Sequence, residues 1–211
     1  MSLFRAIAWD IDGTLIDSEP LHERALVAVS ASFGVDLSDL EPDGFRGVHA
    51  IDTWKALKPR FPSGAVFETW IAAIERYYVE HAGELAPNPG ALEAMGELAK
   101  RGVAQACVSN SGRAIVDANI EALGVDKIIA FSMSLDDVSS GKPDPEPFRE
   151  AARRLGAEPH ATVAVEDSGA GARSARAAGL FVVGYAPSGE PFIGADRSIA
   201  ELIEVVGLFK A

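Results

Sequence analysis

Short apolar runs that alternate with amphipathic helical segments are the feature of this sequence that most constrains its fold. The runs have the length of strands, and glycines or acidic residues bound most of them. Because connections between parallel strands are right-handed and carry helices, this alternation predicts an α/β fold with a doubly wound parallel sheet. The predicted strands are Phe4–Trp9, Ala104–Val108, Lys127–Phe131, Thr162–Val165 and Phe181–Tyr185.

The segments between the runs carry signals for helix starts and stops. Asn88-Pro89 predicts an N-cap followed by proline in the first helical position, and Ser198–Glu201 predicts a capping box. The last helix would point Leu202, Ile203 and Val206 inward. Three apolar stripes at helical spacing each end at a glycine: Leu92, Met95, Leu98 and Ala99 before Gly102; Val116, Ile120 and Leu123 before Gly124; Phe148, Ala152 and Leu155 before Gly156.

A stretch without a convincing strand interrupts this rhythm after the first run. It carries three helical stripes and predicts an all-helical insert at residues 17–86, with an α/β core domain formed by residues 1–16 and 87–211. The insert is either a decoration that thickens the core or a lid over the strand ends, where α/β folds bind ligands. The stripes are Leu21, Ala25, Ala28/Val29 and Ser32/Phe33; Val48, Ile51, Trp54 and Leu57; and Val66/Phe67, Trp70/Ile71, Ile74 and Tyr77/Tyr78.

The charge balance limits the partners of the chain. Its 31 Asp and Glu residues against 19 Lys and Arg residues give a net charge of −12, which argues against nucleic acid and against anionic membrane surfaces. No run approaches the ~18 apolar residues of a membrane span, and Asp10 arrives before a signal-peptide core forms. The single cysteine, Cys107, fits a reducing compartment, so we expect a cytoplasmic protein.

Two pairs of carboxylates follow two of the predicted strands. Asp10 and Asp12 end the first run, and Glu166 and Asp167 end the fourth. Because parallel strands end at the same edge of a sheet, the four acids would meet, which suits Mg²⁺ with its oxygen ligands. Taken alone, Asp12 with the following glycine also fits an ordinary turn, and Asp167 also fits a helix cap.

Two further segments are candidates for holding an anion. Ser109-Asn110 follows a strand where a helix begins, although an ordinary serine cap is the more common explanation of such a segment taken alone. Lys142 lies in a proline-rich loop and would balance acids and a phosphate, unless it is a solvated loop lysine. The Gly141-Lys142 pair lacks the remaining residues of a P-loop, and residues 169–174 lack the third glycine of a dinucleotide fingerprint.

The order of these motifs resembles the haloacid dehalogenase (HAD) superfamily over the whole chain. The motifs are Asp-x-Asp-Gly-Thr at 10–14, Ser-Asn at 109–110, Gly-Lys-Pro at 141–143 and Glu-Asp-Ser-x-x-Gly at 166–171. Residues 10–22 are similar to the opening of the phosphatase and β-phosphoglucomutase-like subgroup, which carries a small helical cap. The resemblance implies a Rossmann-like HAD core with an inserted cap, and a phosphoric monoester hydrolase.

The resemblance also implies roles for the acids. Asp10 would be the nucleophile and a metal ligand. Asp12 would be the general acid and base, and its backbone carbonyl would bind Mg²⁺. Asp167 would complete the metal site, with Glu166 in direct or indirect contact with the ion. Physical chemistry agrees with these roles, because a carboxylate can attack phosphorus only when its own negative charge and that of the phosphate are neutralised.

The remaining implied roles concern phosphate and the cap. Ser109 and Asn110 would hold phosphoryl oxygens, and Lys142 would bridge the nucleophile and the phosphate as a catalytic and phosphate-binding residue. His22 and Arg46 are the candidate substrate residues of the cap, although His22 also fits a surface position. Mutase-like members carry an arginine a few residues after a cap glycine, and in this sequence Ala50 stands there, which argues against a mutase.

The implied function is a Mg²⁺-dependent phosphatase that hydrolyses small phosphate monoesters, of the sugar phosphate or phosphoglycolate type, through an aspartyl-phosphate. Its partner would be a small phosphorylated metabolite, and the protein would be a monomer or a small homo-oligomer. Two alternatives stay open: a β-phosphoglucomutase-like phosphomutase, and a catalytically quiet binding protein of the same fold. A dehalogenase is disfavoured, because that chemistry does not need the metal-binding acid pair.

Overall fold

A parallel sheet of six strands forms the first of two compact units in this computed structural model, which describes residues 4–40, 44–45 and 48–209. The strand order is β3-β2-β1-β4-β5-β6, so the chain moves outward from β1 on one side and then crosses to the other side. This confirms the predicted doubly wound sheet and places its switch point at β1. The strands are β1 (Ala6–Trp9), β2 (Ala104–Val108), β3 (Phe131–Met133), β4 (Thr162–Glu166), β5 (Phe181–Tyr185) and β6 (Arg197–Ile199).

The central strands are apolar because helices cover the sheet. Every residue of β1 and β4 is buried, as expected of parallel strands enclosed on both faces. Ala8 and Ala164 are register partners and share one packed cluster with Phe148, Ala152 and Ala175. The helices of this unit are α4 (Ala91–Lys100), α5 (Arg113–Leu123), α6 (Glu146–Arg154) and α7 (Gly169–Ala177).

The predicted strand Lys127–Phe131 is wrong. The backbone N–H groups of Ile128 and Ile129 both donate to the Val125 carbonyl, at 2.9 and 3.1 Å, so this apolar stretch is a turn. Pairing with β2 begins only where Phe131 lies opposite Ala106. Apolar content alone did not distinguish the turn from the strand that follows it.

The predicted capping box at Ser198 is also wrong. Ser198 lies in β6, opposite Gly184 of β5, and its hydroxyl accepts a hydrogen bond from the Phe192 N–H at 2.8 Å. The following helix is a 3₁₀ helix, Leu202–Leu208, capped by Glu201 and Glu204. Its Leu202 and Val206 are buried as predicted, whereas Ile203 is only partly buried.

Helix α4 differs from its prediction in its start and its buried face. It begins at Ala91 after Gly90, whose φ of 80° is the left-handed conformation that glycine adopts readily. This start turns Leu92 and Ala99 outward, and the buried residues are Ala91, Ala94, Met95 and Leu98. Asn88 therefore does not cap the helix.

The second compact unit is Ser18–Leu85, and the first consists of Met1–Asp17 and Ala86–Ala211. The second unit contains α1 (Glu19–Ser32), α2 (Ala50–Leu57) and α3 (Phe67–His81), with a 3₁₀ turn at Lys58–Arg60 and another at Ala82–Glu84. Its core packs Ala25 and Val29 of α1 against Trp54, Leu57, Trp70 and Ile74. Val48 and Ile51, which the second stripe placed inside, are exposed. In the part of the chain that the structure describes, no helix is long and apolar enough to span a membrane.

Candidate active site

The switch point of the sheet brings three carboxylates together. Asp10 follows β1, Glu166 ends β4, and Asp167 comes next in the chain; one oxygen from each lies within 4.8 Å of the others. The strands explain this placement, because β1 and β4 run side by side and the Asp10 N–H donates to the Val165 carbonyl at 2.9 Å. The edge where the strands end is where doubly wound folds bind ligands.

Lys142 inserts its ammonium group into this cluster. Its Nζ donates to Asp10 Oδ1 and Glu166 Oε1 at 2.6 Å each, and to the Val108 carbonyl at 2.8 Å. The side chain is only 3 % exposed, so Lys142 is a buried site residue and the solvated alternative is wrong. The cluster contains three carboxyl groups and one ammonium, so its acids outnumber its cations.

Burial and crowding shift the protonation of this group. Burial, together with the negative charges of Glu166 and Asp12, raises the pKa of the Asp10 carboxyl to about 7, although Lys142 acts in the opposite direction. Burial also raises the pKa of Glu166 above its ordinary value. Burial disfavours the charged form of Lys142, but Asp10 and Glu166 outweigh it and raise the pKa of the ammonium. The lysine therefore stays charged while the acids compete for protons.

The donor set fits a hard divalent cation. Asp10 Oδ2 is buried and has no hydrogen-bond partner among the described residues, which is costly for a carboxylate oxygen. Both oxygens of Glu166 are engaged, one by Lys142 and the other by the Ser168 hydroxyl at 2.9 Å. Asp10 and Asp167 are the carboxylates that could hold a cation directly, while Glu166 contacts Lys142 and Ser168.

Two glycines make room for the acids. A Cβ at Gly171, on α7, would overlap the carboxylate of Glu166, and a Cβ at Gly13 would overlap that of Asp167. Gly13 also has a φ of 81°, which disfavours any other residue. The hydroxyl of Thr14 donates to Asp167 Oδ1 at 3.3 Å. Glycine and threonine in these motifs thus shape the cluster.

The carboxylate of Asp12 contacts the residues just before α5 and one side chain of α5 itself. Oδ2 accepts hydrogen bonds from Ser109 Oγ at 2.7 Å and Ser111 Oγ at 3.0 Å, and Oδ1 accepts one from Asn119 Nδ2 at 2.9 Å. Sequence reasoning missed Ser111 and Asn119. The one available signal was the position of Asn119, three residues after Val116 and four before Leu123, within the apolar stripe of α5. In the structure Asn119 is fully buried.

Asn110 contacts the lysine loop. Its Nδ2 donates to the Lys142 carbonyl at 2.9 Å, and its Oδ1 accepts from the Lys142 N–H at 2.8 Å. Asn88 was also missed as a site-shaping residue: its Nδ2 donates to the carbonyls of Gly13 and Thr14 at 2.9 and 2.8 Å. Both asparagines thus satisfy backbone groups of the loops around the cluster.

The two candidate cap residues have different outcomes. His22 lies on α1 in the helical unit, half-buried, with its ring 4.6 Å from that of Tyr78. Arg46 lies outside the described residues. Their roles toward a substrate stay predictions.

A switch-point cluster of carboxylates around a buried lysine defines this protein as an enzyme of the Rossmann-like α/β class. The family model of haloacid dehalogenase-like hydrolases matches residues 4–179. The protein CbbY of Cereibacter sphaeroides is 31 % identical over 98 % of this chain and 96 % of its own length. A phosphoglycolate phosphatase of Cupriavidus necator is 30 % identical over 93 % of this chain and 89 % of its own.

A comparison with solved structures gives CbbY again, as the sequence comparison does. A crystal structure of CbbY from Rhodobacter sphaeroides in complex with phosphate has a TM-score of 0.85 and 28 % identity, covering 96 % of each chain. The chain belongs to the haloacid dehalogenase-like hydrolase family. This confirms the predicted family and the predicted enzyme class, a phosphoric monoester hydrolase of that family.

Proposed function

We propose that this protein is a Mg²⁺-dependent phosphatase that hydrolyses small phosphate monoesters through an aspartyl-phosphate on Asp10. The observation that carries the proposal is the state of the Asp10 carboxylate. One oxygen is bonded to the Lys142 ammonium, and the other is buried without a partner among the described residues. The carboxylate thus keeps lone pairs available, which both attack on phosphorus and the binding of a cation need.

The first half of the reaction transfers the phosphoryl group to the protein. An oxygen of Asp10 attacks phosphorus, and the bond from phosphorus to the ester oxygen breaks. Asp12, which enters this step as the protonated acid, gives its proton to the departing alcohol. Lys142 holds its positive charge beside Asp10, where it offsets the repulsion between the carboxylate and the approaching phosphate.

The second half returns the enzyme to its starting state. Asp12, now a carboxylate, takes a proton from water, and the water oxygen attacks phosphorus. The bond between phosphorus and Asp10 breaks, which releases inorganic phosphate and restores the Asp10 carboxylate. Ser109, Ser111 and Asn119 hold Asp12 through both of its oxygens and so fix where it stands.

Asp10 and Asp167, with the Asp12 carbonyl, are the residues that would hold Mg²⁺. When bound, the ion neutralises the charge of the cluster and of the phosphate oxygens, which lowers the barrier to attack by an anion. Two observations support this assignment: Asp10 has a buried oxygen without a partner among the described residues, and one oxygen of Asp10 lies within 4.8 Å of one oxygen of Asp167.

The substrate class rests on named relatives. Besides the phosphoglycolate phosphatase, a hexitol phosphatase B of Escherichia coli is 31 % identical over 95 % of this chain. A second CbbY crystal structure, 28 % identical, is of a complex with xylulose-1,5-bisphosphate. We therefore expect a sugar phosphate or phosphoglycolate-like monoester.

A screen of small phosphate esters tests this function. We expect phosphate release with Mg²⁺ and at most background release with EDTA. Chromatography of a hexose phosphate reaction over time separates the alternatives: a phosphatase forms inorganic phosphate, and a mutase forms an isomeric sugar phosphate. Isomer formation that outpaces phosphate release would contradict the hydrolase proposal. If none of the esters were turned over, the catalytically quiet binding protein would be favoured.

A further inference from the structure

The side chain of Asn110 forms a reciprocal pair of hydrogen bonds with the backbone of Lys142. Its Nδ2 donates to the Lys142 carbonyl at 2.9 Å, and the Lys142 N–H donates to its Oδ1 at 2.8 Å. A paired donor and acceptor fixes both the position and the orientation of a peptide group, as in a strand ladder. The side-chain amide of Asn110 thus anchors the backbone of the loop that carries Lys142.

The loop is shaped to admit this contact. Gly141 precedes the lysine, and a Cβ there would lie 2.7 Å from Asn110 Oδ1 and 2.6 Å from Leu135 Cδ1. Any side chain at this position would push the amide away from the Lys142 backbone. Glycine at 141 and asparagine at 110 therefore form one packing unit.

The ammonium of Lys142 depends on where its backbone lies. It donates to Asp10, Glu166 and the Val108 carbonyl, all at 2.6–2.8 Å, from a side chain that is 3 % exposed. A lysine side chain carries about 2 kcal/mol of rotamer entropy, so a fixed backbone is needed for one arrangement to dominate. Displacement of the loop would strain all three bonds together.

We propose that Asn110 is a positioning residue for Lys142, and that its side chain holds the lysine loop instead of a phosphoryl oxygen. The proposal deepens the function proposed above, because it assumes that Lys142 acts on the reacting carboxylate. It replaces the phosphate-holding role that the family resemblance implied for this side chain.

A spectroscopic test needs neither metal nor substrate. In ¹⁵N-lysine-labelled protein kept free of phosphate and metal, a buried ammonium with three acceptors exchanges slowly with water and gives a resolved signal. Loss of that signal in Lys142→Met assigns it. We expect Asn110→Ala to shift or broaden it, and Ser140→Ala, a change at an exposed neighbour, to leave it in place. An unchanged signal in a folded Asn110→Ala protein would overturn the proposal.

Kinetics give a second, independent readout. Asn110→Ala should lower kcat by about 10-fold to 100-fold, the usual effect of misplacing a catalytic group. Gly141→Ala should reproduce this loss, although it leaves the amide itself intact. A ligand of the phosphate would instead raise KM and weaken inhibition by inorganic phosphate, with kcat little changed, and that pattern would overturn the proposal.

The double variant separates a shared mechanism from two unrelated defects. If both substitutions act by releasing the same loop, their losses in kcat overlap, and the Asn110→Ala/Gly141→Ala protein loses clearly less than the product of the single effects. Independent, multiplicative losses would contradict the proposal. Should Asn110→Ala fail to fold, Asn110→Ser is the milder variant for both tests. Lack of turnover in the wild-type protein would refute the proposed function, while the lysine signal would still decide this inference.

Discussion

At the scale of single residues, the decisive feature is the asymmetry of the Asp10 carboxylate, with one oxygen on Lys142 and the other buried without a described partner. Asp10→Asn removes the proposed nucleophile while keeping the shape of the side chain, so we expect turnover to be abolished. It also removes one of the clustered negative charges, so stability should hold or rise. Phosphate release and thermal unfolding measure both effects, and the exposed Asp126→Asn is the control. Retained turnover in purified Asp10→Asn would contradict the nucleophile role.

The same carboxyl predicts a pH dependence of stability. In the metal-free protein the pKa of Asp10 rises from 3.8 to about 7, so between these values the folded state keeps a proton that the unfolded chain has lost. The free energy of unfolding should therefore fall as pH rises through this interval, by up to roughly 1.4 kcal/mol per pH unit from this group. Urea unfolding in EDTA measures it. Asp10→Asn should show a shallower slope, and equal slopes would contradict the account.

At the scale of secondary-structure elements, α7 approaches β4 closely because Gly171 has no side chain beside Glu166. Gly171→Ala should destabilise the fold by about 1–3 kcal/mol, the usual cost of overpacking, and weaken activity by displacing Glu166. Gly96→Ala is the matched control, since it is also a helical glycine but has nothing within 4 Å of its built Cβ. That control should stabilise α4 by about 0.5–1 kcal/mol. Equal denaturation midpoints for Gly171→Ala and Gly96→Ala would contradict the close approach of α7 to Glu166.

Prediction of the elements succeeded where the local pattern decided the structure. The runs that became β2 and β5 had the right bounds, because turn signals flank each run and the whole run pairs as a strand. The turn at Ile128 and the strand at Ser198 depend on pairing with β2 and β5, which local periodicity does not contain. Asn88 looked like a cap, and only the fold brings its amide to Gly13 and Thr14.

At the scale of the whole molecule, we expect metal binding to be linked to folding, because the three acids meet only in the folded state. Sequence position after strands was enough to predict Asp10, Glu166 and Asp167 as neighbours. The support from Asn119 and Gly171 depends on which face α5 and α7 turn toward the cluster, and one sequence does not determine that rotation. The site residues could thus be predicted better than the residues that hold them.

This linkage predicts that Mg²⁺ stabilises the entire fold. At a Mg²⁺ concentration of about 100 times Kd, the gain is about 2.7 kcal/mol, seen as a higher unfolding temperature. Asp167→Asn, which removes a proposed direct ligand, should lose most of this gain, whereas Asp126→Asn should keep it. A Mg²⁺ response of the same size in all three proteins would show that the ion binds elsewhere.

The central claim is that Asp10 carries the phosphoryl group during turnover, and acid quenching of the enzyme with a ³²P-labelled substrate tests it most directly. We expect the wild-type protein to carry the label on the peptide that contains Asp10, and hydroxylamine to release that label from the protein. Asp10→Asn should carry no label. Turnover without any labelled protein, or label on a peptide that lacks Asp10, would contradict it.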